Sequence, residues 1–271
     1  MTAPVTAAAA TPVASMEARI DGIGFWTGGL PSWQAAREFA GGGSQVEDAP
    51  RKPSPQLLAA NERRRAPATV TVALEVALAA CQDAGRDPKT LPSVFASTHG
   101  DLAITDYMAT TLADDPRAIS PIRFHNSVHN AAAGYWTIGV GCMAAATAIS
   151  AGPATFAQGL LEALVQLATG DEAVLLTAYD IGATGPLGTM APSEGRLGGA
   201  LVLSRGAGGT RLRASFIEGS PDAPQGPLAT LAAGNAMAPM LPRFDALAGG
   251  GDLALLQAGP GRILRVELAH G

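Results

Sequence analysis

The sequence predicts an α/β fold: a mainly parallel, mixed sheet with helices on both faces and a C-terminal β-hairpin. Three observations support this prediction. Short apolar runs typical of strands alternate with helix patterns between residues 17 and 218. Two further strand patterns flank the turn residues 259–261 near the C-terminus. No Asp, Glu, Lys or Arg lies between Arg123 and Glu162, which indicates that this central stretch is buried.

The first half of the chain supplies elements with clear start and stop signals. The predicted strands are residues 17–25 and 92–97, and the predicted helices are residues 33–40, 66–84 and 102–113. Ser32 and Asp101 precede two of these helices, where their side chains can accept hydrogen bonds from free backbone N–H groups. Gly85 can adopt the left-handed conformation that ends the helix before it.

The second half is richer in strands. The predicted strands are residues 172–179, 198–204, 211–218, 252–257 and 262–268, and the predicted helical segments are residues 153–169, 228–233 and 244–247. Residues 181–196 contain Gly and Pro and are predicted as a loop. Residues 1–16 are mainly Ala, Thr and Pro without the features of a signal peptide. They are predicted to be a disordered leader before a single domain over residues 17–271.

Composition limits the possible functions. The chain has 271 residues, of which 47% are hydrophobic and 15% are charged, enough for one sizeable core or two small ones. The net charge is -5 and the one basic block is Arg63-Arg64-Arg65, so the basic stripe of a nucleic-acid-binding protein is missing. Two cysteines and no C-x-x-C motif suit the reduced cytoplasm, which is the expected location.

The central uncharged run is long enough to cross a bilayer. It is, however, interrupted by several glycines and by Pro153, and it is rich in Ala, Ser and Thr. These features favour a buried β-α unit over a membrane span.

Metal and nucleotide chemistry find little support in the sequence. His125 and His129 have the four-residue spacing of metal ligands on a helix, but Asn126 stands where a zinc hydrolase of that type has its Glu. No third ligand is evident, so these polar side chains are predicted to line a pocket or an interface. Gly22-Ile-Gly24 follows a strand but lacks the third glycine of a dinucleotide fingerprint. We therefore expect no metal and no cofactor.

Individual residues that could act as a nucleophile or a base also have plausible structural roles. His99 follows a predicted strand, at the end where ligands gather in open sheets, but it also suits a loop histidine bonded to its own backbone. Cys81 lies on the apolar stripe of its helix and suits core packing. Cys142 lies in apolar surroundings without a neighbouring base, which predicts an inert thiol.

Four short motifs occur in order over residues 17–204. They are Ile20-Asp-Gly-Ile-Gly24 followed by Trp33, Asn130-Ala-Ala-Ala-Gly-Tyr135, Gly170-Asp-Glu-Ala173, and Gly195-Arg-Leu-Gly-Gly-Ala-Leu-Val-Leu203. In this order and spacing they resemble the N-terminal half of the β-ketoacyl-acyl carrier protein synthases. The resemblance implies a thiolase-like half-fold.

The resemblance also exposes a departure from the family. Counting forward from Asn130 and backward from Gly170 places the family's nucleophilic cysteine at Pro153. An active ketosynthase carries its acyl chain on that cysteine and uses two histidines from its C-terminal half. Residues 205–271 are too few for that half, and His270 is a poor substitute. No catalytic residue is therefore expected, and the chain is not expected to be an enzyme by itself.

Residues 97–101 and 123–136 resemble a subgroup, the short chain-length-factor-like proteins of aryl-polyene and type II polyketide pathways. The resemblance implies a non-catalytic subunit that pairs with an active β-ketoacyl-ACP synthase as a heterodimer. It would shape the acyl tunnel of that enzyme and meet the acyl carrier protein only indirectly. The candidate interface or tunnel residues are His99, His125, Asn126, His129, Asn130, Tyr135, Trp136 and Phe156.

The helix at residues 153–169 adds a physical argument for a partner. It is apolar nearly all round, and a half-length domain is expected to leave part of it uncovered.

Two alternative functions stay open. One is a stand-alone acyltransferase or hydrolase that uses Ser150, Cys142 or His99, and the other is a homodimeric acyl-binding module.

Overall fold

The computed structural model describes residues 14–271, so most of the predicted leader lies outside the described residues. The first strand begins at Ser15, two residues before the predicted domain boundary. The strands are β1 (Ser15–Thr27), β2 (Ser93–Ala96), β3 (Ala146–Ile149), β4 (Ala173–Ile181), β5 (Arg196–Ser204), β6 (Arg211–Glu218), β7 (Leu253–Gly259) and β8 (Arg262–Ala269).

The helices of the described chain are α1 (Trp33–Ala40), α2 (Ala60–Arg65), α3 (Ala68–Ala84), α4 (Leu102–Asp114), α5 (Pro121–His125), α6 (Ala131–Val140), α7 (Thr155–Thr169), α8 (Gly185–Met190), α9 (Pro227–Leu231) and α10 (Leu241–Gly249). The predicted caps are confirmed. Ser32 accepts a hydrogen bond from the Ala35 N–H, and Asp101 accepts one from the Ile104 N–H. Gly85 ends α3 in the left-handed conformation. The predicted loop at 181–196 contains the short helix α8.

Residues 14–271 form one eight-stranded sheet in the order β3-β2-β4-β5-β1-β6-β8-β7. The predicted C-terminal hairpin, β7–β8, is confirmed. The prediction of a mainly parallel sheet is wrong. Within the described chain β2 is parallel to β3 and to β4, and the other neighbouring pairs are antiparallel. Parallel pairing needs a helical crossover between the strands, and these three strands are joined through α4–α6 and α7.

Helices cover both faces of the sheet, as predicted. On one face α3 and α6 enclose a core in which Phe95 lies 6.4 Å from both Trp136 and Tyr179, measured between ring centroids. The other face carries α1, α7, α9 and α10. There Phe244 lies 5.4 Å from Phe25, again between ring centroids. The parallel strands therefore lie between two separate apolar layers.

The helix α7 is covered mostly by its own chain, so only a small part of the cover predicted from a partner is left to be supplied. Phe156, Leu160 and Leu164 are at most 1% exposed. They pack between the sheet and the C-terminal segment, where Phe244 of α10 lies 6.2 Å from Phe156 between ring centroids. Val165 is the exception and is 41% exposed. Residues 227–259 thus supply most of the cover that was expected from a second chain.

The Gly22-Ile-Gly24 motif brings two backbones close together. A Cβ atom on Gly24 would lie 2.0 Å from the Val76 carbonyl oxygen, and one on Gly22 would lie 2.3 Å from that of Ala80. Only glycine allows β1 and α3 to approach this closely. The motif therefore serves helix–sheet packing.

Candidate functional site

The carboxyl ends of β2, β3 and β4 meet at one edge of the sheet, the place where open α/β sheets collect ligands. Asp180 of β4 is fully buried there. Its carboxylate accepts hydrogen bonds from the Ser97 hydroxyl (2.8 Å), the Thr98 N–H (2.9 Å) and the His99 N–H (3.2 Å). Burial raises the pKa of Asp180, although these hydrogen bonds oppose the rise. The carboxylate fixes the loop that carries His99.

Pro153 lies in the 3-10 turn Gly152–Ala154, immediately before α7. The turn is held by Thr155, whose hydroxyl donates to the Gly152 carbonyl (2.7 Å) and accepts from the Ala151 N–H (2.9 Å). The helix begins two residues later than predicted because residues 152–154 form this tighter turn. The position assigned to the nucleophile therefore carries neither a thiol nor a hydroxyl.

A cavity of about 820 Å³ lies beside Pro153 and His99. Its walls are largely proline and alanine, and much of its lining comes from the C-terminal residues 221–257. Met190 of α8 stands at the wall and is 83% exposed. The size and apolar lining of this cavity suit a small-molecule site.

Four of the predicted site residues lie around the start of α6. The His129 ring nitrogen Nε2 is 2.9 Å from the Ser97 carbonyl oxygen, which joins this segment to the His99 loop. Asn126 is buried, and its Oδ1 has no hydrogen-bond partner within residues 14–271. His125 and Asn130 are exposed. His125 ends α5 and His129 lies in the following turn, so the two histidines do not share a helix.

The three predicted aromatic residues are placed differently. Tyr135 is half-buried, with its ring centroid 6.4 Å from that of His125. Trp136 is fully buried on the α3 side of the sheet, and Phe156 is 1% exposed on the α7 side. These two can support a surface only from beneath. The interface or tunnel role of all eight residues stays a prediction.

The two proposed alternative nucleophiles are engaged in structural hydrogen bonds. The Ser150 hydroxyl donates to the Thr98 carbonyl (2.9 Å). Cys142 is buried, and its thiol donates to the Leu91 carbonyl (3.5 Å). Cys81 is also buried, which raises its pKa to about 12. Neither Ser150 nor Cys142 is bonded to a side chain that could act as its base.

Residues 14–271 contain neither a metal-binding cluster nor a membrane-spanning helix. No group of three or more His, Cys, Asp or Glu side chains is arranged to hold a metal ion in this part of the chain. Across the same residues no helix combines the length and the apolar composition needed to cross a membrane.

The model of the family described as beta-ketoacyl synthase, N-terminal domain, matches residues 33–226. The chain belongs to this family. No curated protein matches it in sequence. The segment that covers α7 and completes the cavity beside Pro153 lies mostly after residue 226, beyond the matched part.

Solved structures share the fold of this ketosynthase-family chain. A chain of "Ketosynthase (ApeO) in Complex with its Chain Length Factor (ApeC) from Xenorhabdus doucetiae" superposes with a TM-score of 0.74 at 20% identity, covering 93% of this chain and 99% of that one. A chain of the AntDE:AntF complex, a type II PKS acyl-carrier protein with its ketosynthase bound to the hexaketide, gives 0.72 at 11% identity, covering 95% and 100%. The ishigamide ketosynthase/chain length factor gives 0.60 at 14%, covering 88% and 74%. These likenesses confirm the thiolase-like half-fold.

One exposed surface of this ketosynthase-family chain was not predicted from the sequence. The edge strand β3 has no strand on its outer side among the described residues. Beside it Ile138 of α6 is 82% exposed, Met143 is 97% exposed, and Val165 of α7 is 41% exposed. We call β3 with these three residues the β3 surface. The signal was present in the sequence, because Ile138, Met143 and β3 all lie in the uncharged run.

Proposed function

We propose that the chain is a non-catalytic, chain-length-factor-like subunit. It pairs with an active β-ketoacyl-ACP synthase and shapes the acyl tunnel of that enzyme in polyene, polyketide or fatty-acid-like biosynthesis. The family membership supports a ketosynthase-like subunit. The names of two structurally similar complexes, each a ketosynthase with a chain length factor, support the pairing.

The proposal that the chain is non-catalytic rests on Pro153. Proline offers no nucleophile, and the adjacent Thr155 hydroxyl is held by backbone groups on both sides. The Ser150 hydroxyl donates a hydrogen bond to a backbone carbonyl. A nucleophile needs a base or an ionised thiol to react, and these side chains have neither. Condensation would therefore be carried out by the partner.

The observation that carries the proposal is the β3 surface. An edge strand presents a row of backbone N–H and C=O groups that can pair with a strand of another chain. Here the edge is short, carries no charge, and is flanked by Ile138 and Met143, which are 82% and 97% exposed. Exposed apolar residues beside an open edge are typical of a protein–protein interface.

The tunnel role rests on the segment before α6. Phe124 is 61% exposed and Val128 is 51% exposed, and both neighbour the predicted tunnel residues in sequence. His129 ties this segment to the His99 loop, so the exposed side chains stand on a fixed backbone. We propose that His125, Asn130 and Tyr135 face the acyl chain or the partner along this segment.

The test is co-expression with a ketosynthase encoded beside this protein. We expect a stable 1:1 complex and condensation that requires both chains. Replacing both Ile138 and Met143 by Glu should abolish co-purification. The matched control is Leu253→Glu on β7, the opposite edge of the sheet, where Leu253 is 42% exposed. That variant should still form the complex.

Two results would overturn the proposal. A monomer with no affinity for the ketosynthase, labelled at Cys142 by an acyl-thioester probe, would favour an independent acyltransferase or hydrolase. A homodimer that binds acyl groups but no ketosynthase would favour the acyl-binding module. In that case the Ile138 and Met143 variants should dissociate the homodimer.

A further inference from the structure

The basic block at Arg63-Arg64-Arg65 has no part in the proposed function. It forms the second half of α2, which lies before the long helix α3. Arg63 and Arg64 line a cavity of about 350 Å³ together with Lys52 and Arg196. Lys52 precedes α2 by several residues, and Arg196 begins β5, far away in sequence. The fold thus gathers four cations from three segments around one concavity.

These four cations have no salt-bridge partner in the described chain, although Arg63 interacts with the charge of Glu75. None of them makes an ion pair within residues 14–271, although the chain as a whole carries a net charge of -5. No Asp or Glu lines the cavity. Like charges held this close repel each other, and the resulting positive potential attracts an anion.

The carboxylate of Glu75 on α3 interacts with Arg63, and it is already bonded to a backbone N–H. It accepts a hydrogen bond of 3.1 Å from the Ser54 N–H. Burial raises the pKa of Glu75, while the Ser54 N–H and the charge of Arg63 oppose the rise. Glu75 anchors the loop behind the cavity and leaves the cavity itself without negative charge.

The cations are partly oriented in advance. The Arg63 Nη1 donates to the Ser54 hydroxyl (3.2 Å), and the Arg196 Nη1 donates to the Arg51 carbonyl (3.3 Å). Arg63 and Arg196 are both half-buried residues. Each such bond uses one of five N–H donors, so most donors stay available to a ligand. The hydroxyls of Ser54 and Thr71 also line the cavity.

We propose that this cavity binds a phosphate ester that carries more than one negative charge. Guanidinium groups match phosphate oxygens in pairs, and several cations together favour a multiply charged anion over a single carboxylate. The volume exceeds that of one phosphate ion and lies in the range of small-ligand pockets. Two sources offer this chemistry, a free metabolite and an arm borne by a carrier, and the feature they share is the ester phosphate.

Calorimetric titration of the full-length protein with pyrophosphate tests this site, with ADP as a second probe that adds an organic group. We expect saturable binding by both, weakened roughly tenfold or more as the ionic strength rises from about 0.05 to about 0.5 M. Replacing Arg63 and Arg64 by Gln together should weaken binding at least about tenfold, because two of the four charges are removed. Arg196→Gln should weaken it as well.

The matched control is the double variant Arg117→Gln with Arg211→Gln. Both residues are exposed and make no ion pair within residues 14–271, so the net charge changes equally away from the cavity. Pyrophosphate affinity should be unchanged. Equal loss in the control, or no saturable heat up to about 10 mM, would overturn the site. The same holds if an acidic carrier protein binds through Arg63 and Arg64 while pyrophosphate does not, since the surface would then dock protein.

This site is independent of the proposed function. None of the four cations belongs to the β3 surface, so the Arg63 and Arg64 variant should still co-purify with the ketosynthase. Loss of pyrophosphate binding with an intact heterodimer supports the anion site. Loss of the heterodimer in that variant would instead place α2 in the interface and overturn the assignment.

Discussion

Gln158 on α7 donates a hydrogen bond of 2.8 Å from its Nε2 to the carbonyl oxygen of Ala258 on β7. This bond joins the helix after Pro153 to the C-terminal hairpin. The hairpin forms the edge of the sheet opposite β3, yet the sheet curves enough to bring it onto α7. The C-terminal segment therefore supplies, through this hydrogen bond and through apolar packing, most of the cover for α7 that was expected from a second chain.

Because Phe244 forms the apolar part of that cover, we expect its truncation to cause a large loss of folding stability. Its ring is fully buried and lies within 6.2 Å of three other aromatic rings, centroid to centroid. Phe244→Ala should lower the free energy of unfolding by about 3–5 kcal/mol. Urea denaturation followed by circular dichroism measures this. Phe124→Ala, at a 61% exposed ring, is the control and should change stability by less than about 0.5 kcal/mol.

Local signals in the sequence predicted local structure well. Ser32, Gly85 and Asp101 were identified as caps because each acts on the few residues beside it. Strand direction was mispredicted because it depends on which strands become neighbours. The central position of β1, between β5 and β6, cannot be read from its own residues. The four cations around the second cavity were missed for the same reason, since Arg196 joins Arg63 only through the fold.

Asp21 predicts a pH-dependent contribution to stability. It sits at a β-bulge of β1, with its carboxylate 2.6 Å from the Arg19 Nε and 2.7 Å from the Arg86 Nε. Burial opposes its ionisation, but hydrogen bonds from Arg19, Ser204 and Arg86 outweigh burial and lower the pKa. Because the folded-state pKa is lowered, this stabilisation is present above the unfolded value of 3.8 and is lost as pH falls through the folded pKa.

Asp21→Asn should therefore lower the free energy of unfolding by about 1–3 kcal/mol at neutral pH. The difference from the wild type should shrink as the pH is lowered below 3.8. Denaturant titrations at several pH values check this. Asp222→Asn, at an exposed position, should follow the wild type throughout. A gap that stays constant down to strongly acidic pH would contradict the ion-pair explanation.

Replacing Arg243 by an uncharged residue is expected to stabilise the fold. Its side chain is fully buried in α10, and none of its guanidinium nitrogens has a hydrogen-bond partner among residues 14–271. Burial lowers its pKa to about 9. Arg243→Met keeps a similar length without the charge and should raise the free energy of unfolding by about 1–4 kcal/mol at neutral pH.

The pH dependence of this gain has a defined sign. As the pH rises above about 9, toward the higher pKa of an unburied arginine, the folded wild type releases a proton that the unfolded chain still holds. The wild type therefore gains stability as the pH rises through that window, and the advantage of Met shrinks. Arg117→Met, at an exposed position, should change little. A large loss of stability in Arg243→Met would show that the guanidinium has a partner.

Pro153→Cys tests whether a thiol at position 153 is enough to give condensation activity. Pro153 is exposed at the wall of the cavity, whereas Cys81 and Cys142 are buried, so a thiol at 153 should be labelled selectively by iodoacetamide. The variant should still show no condensation by itself. Among residues 14–271 a single histidine, His99, lines this cavity, whereas the reaction uses a pair to stabilise the enolate and the oxyanion. Pro192→Cys, at the same cavity, is the control and should likewise be labelled without gaining condensation activity. Condensation by Pro153→Cys without a partner would mean that the half-fold contains a complete catalytic site.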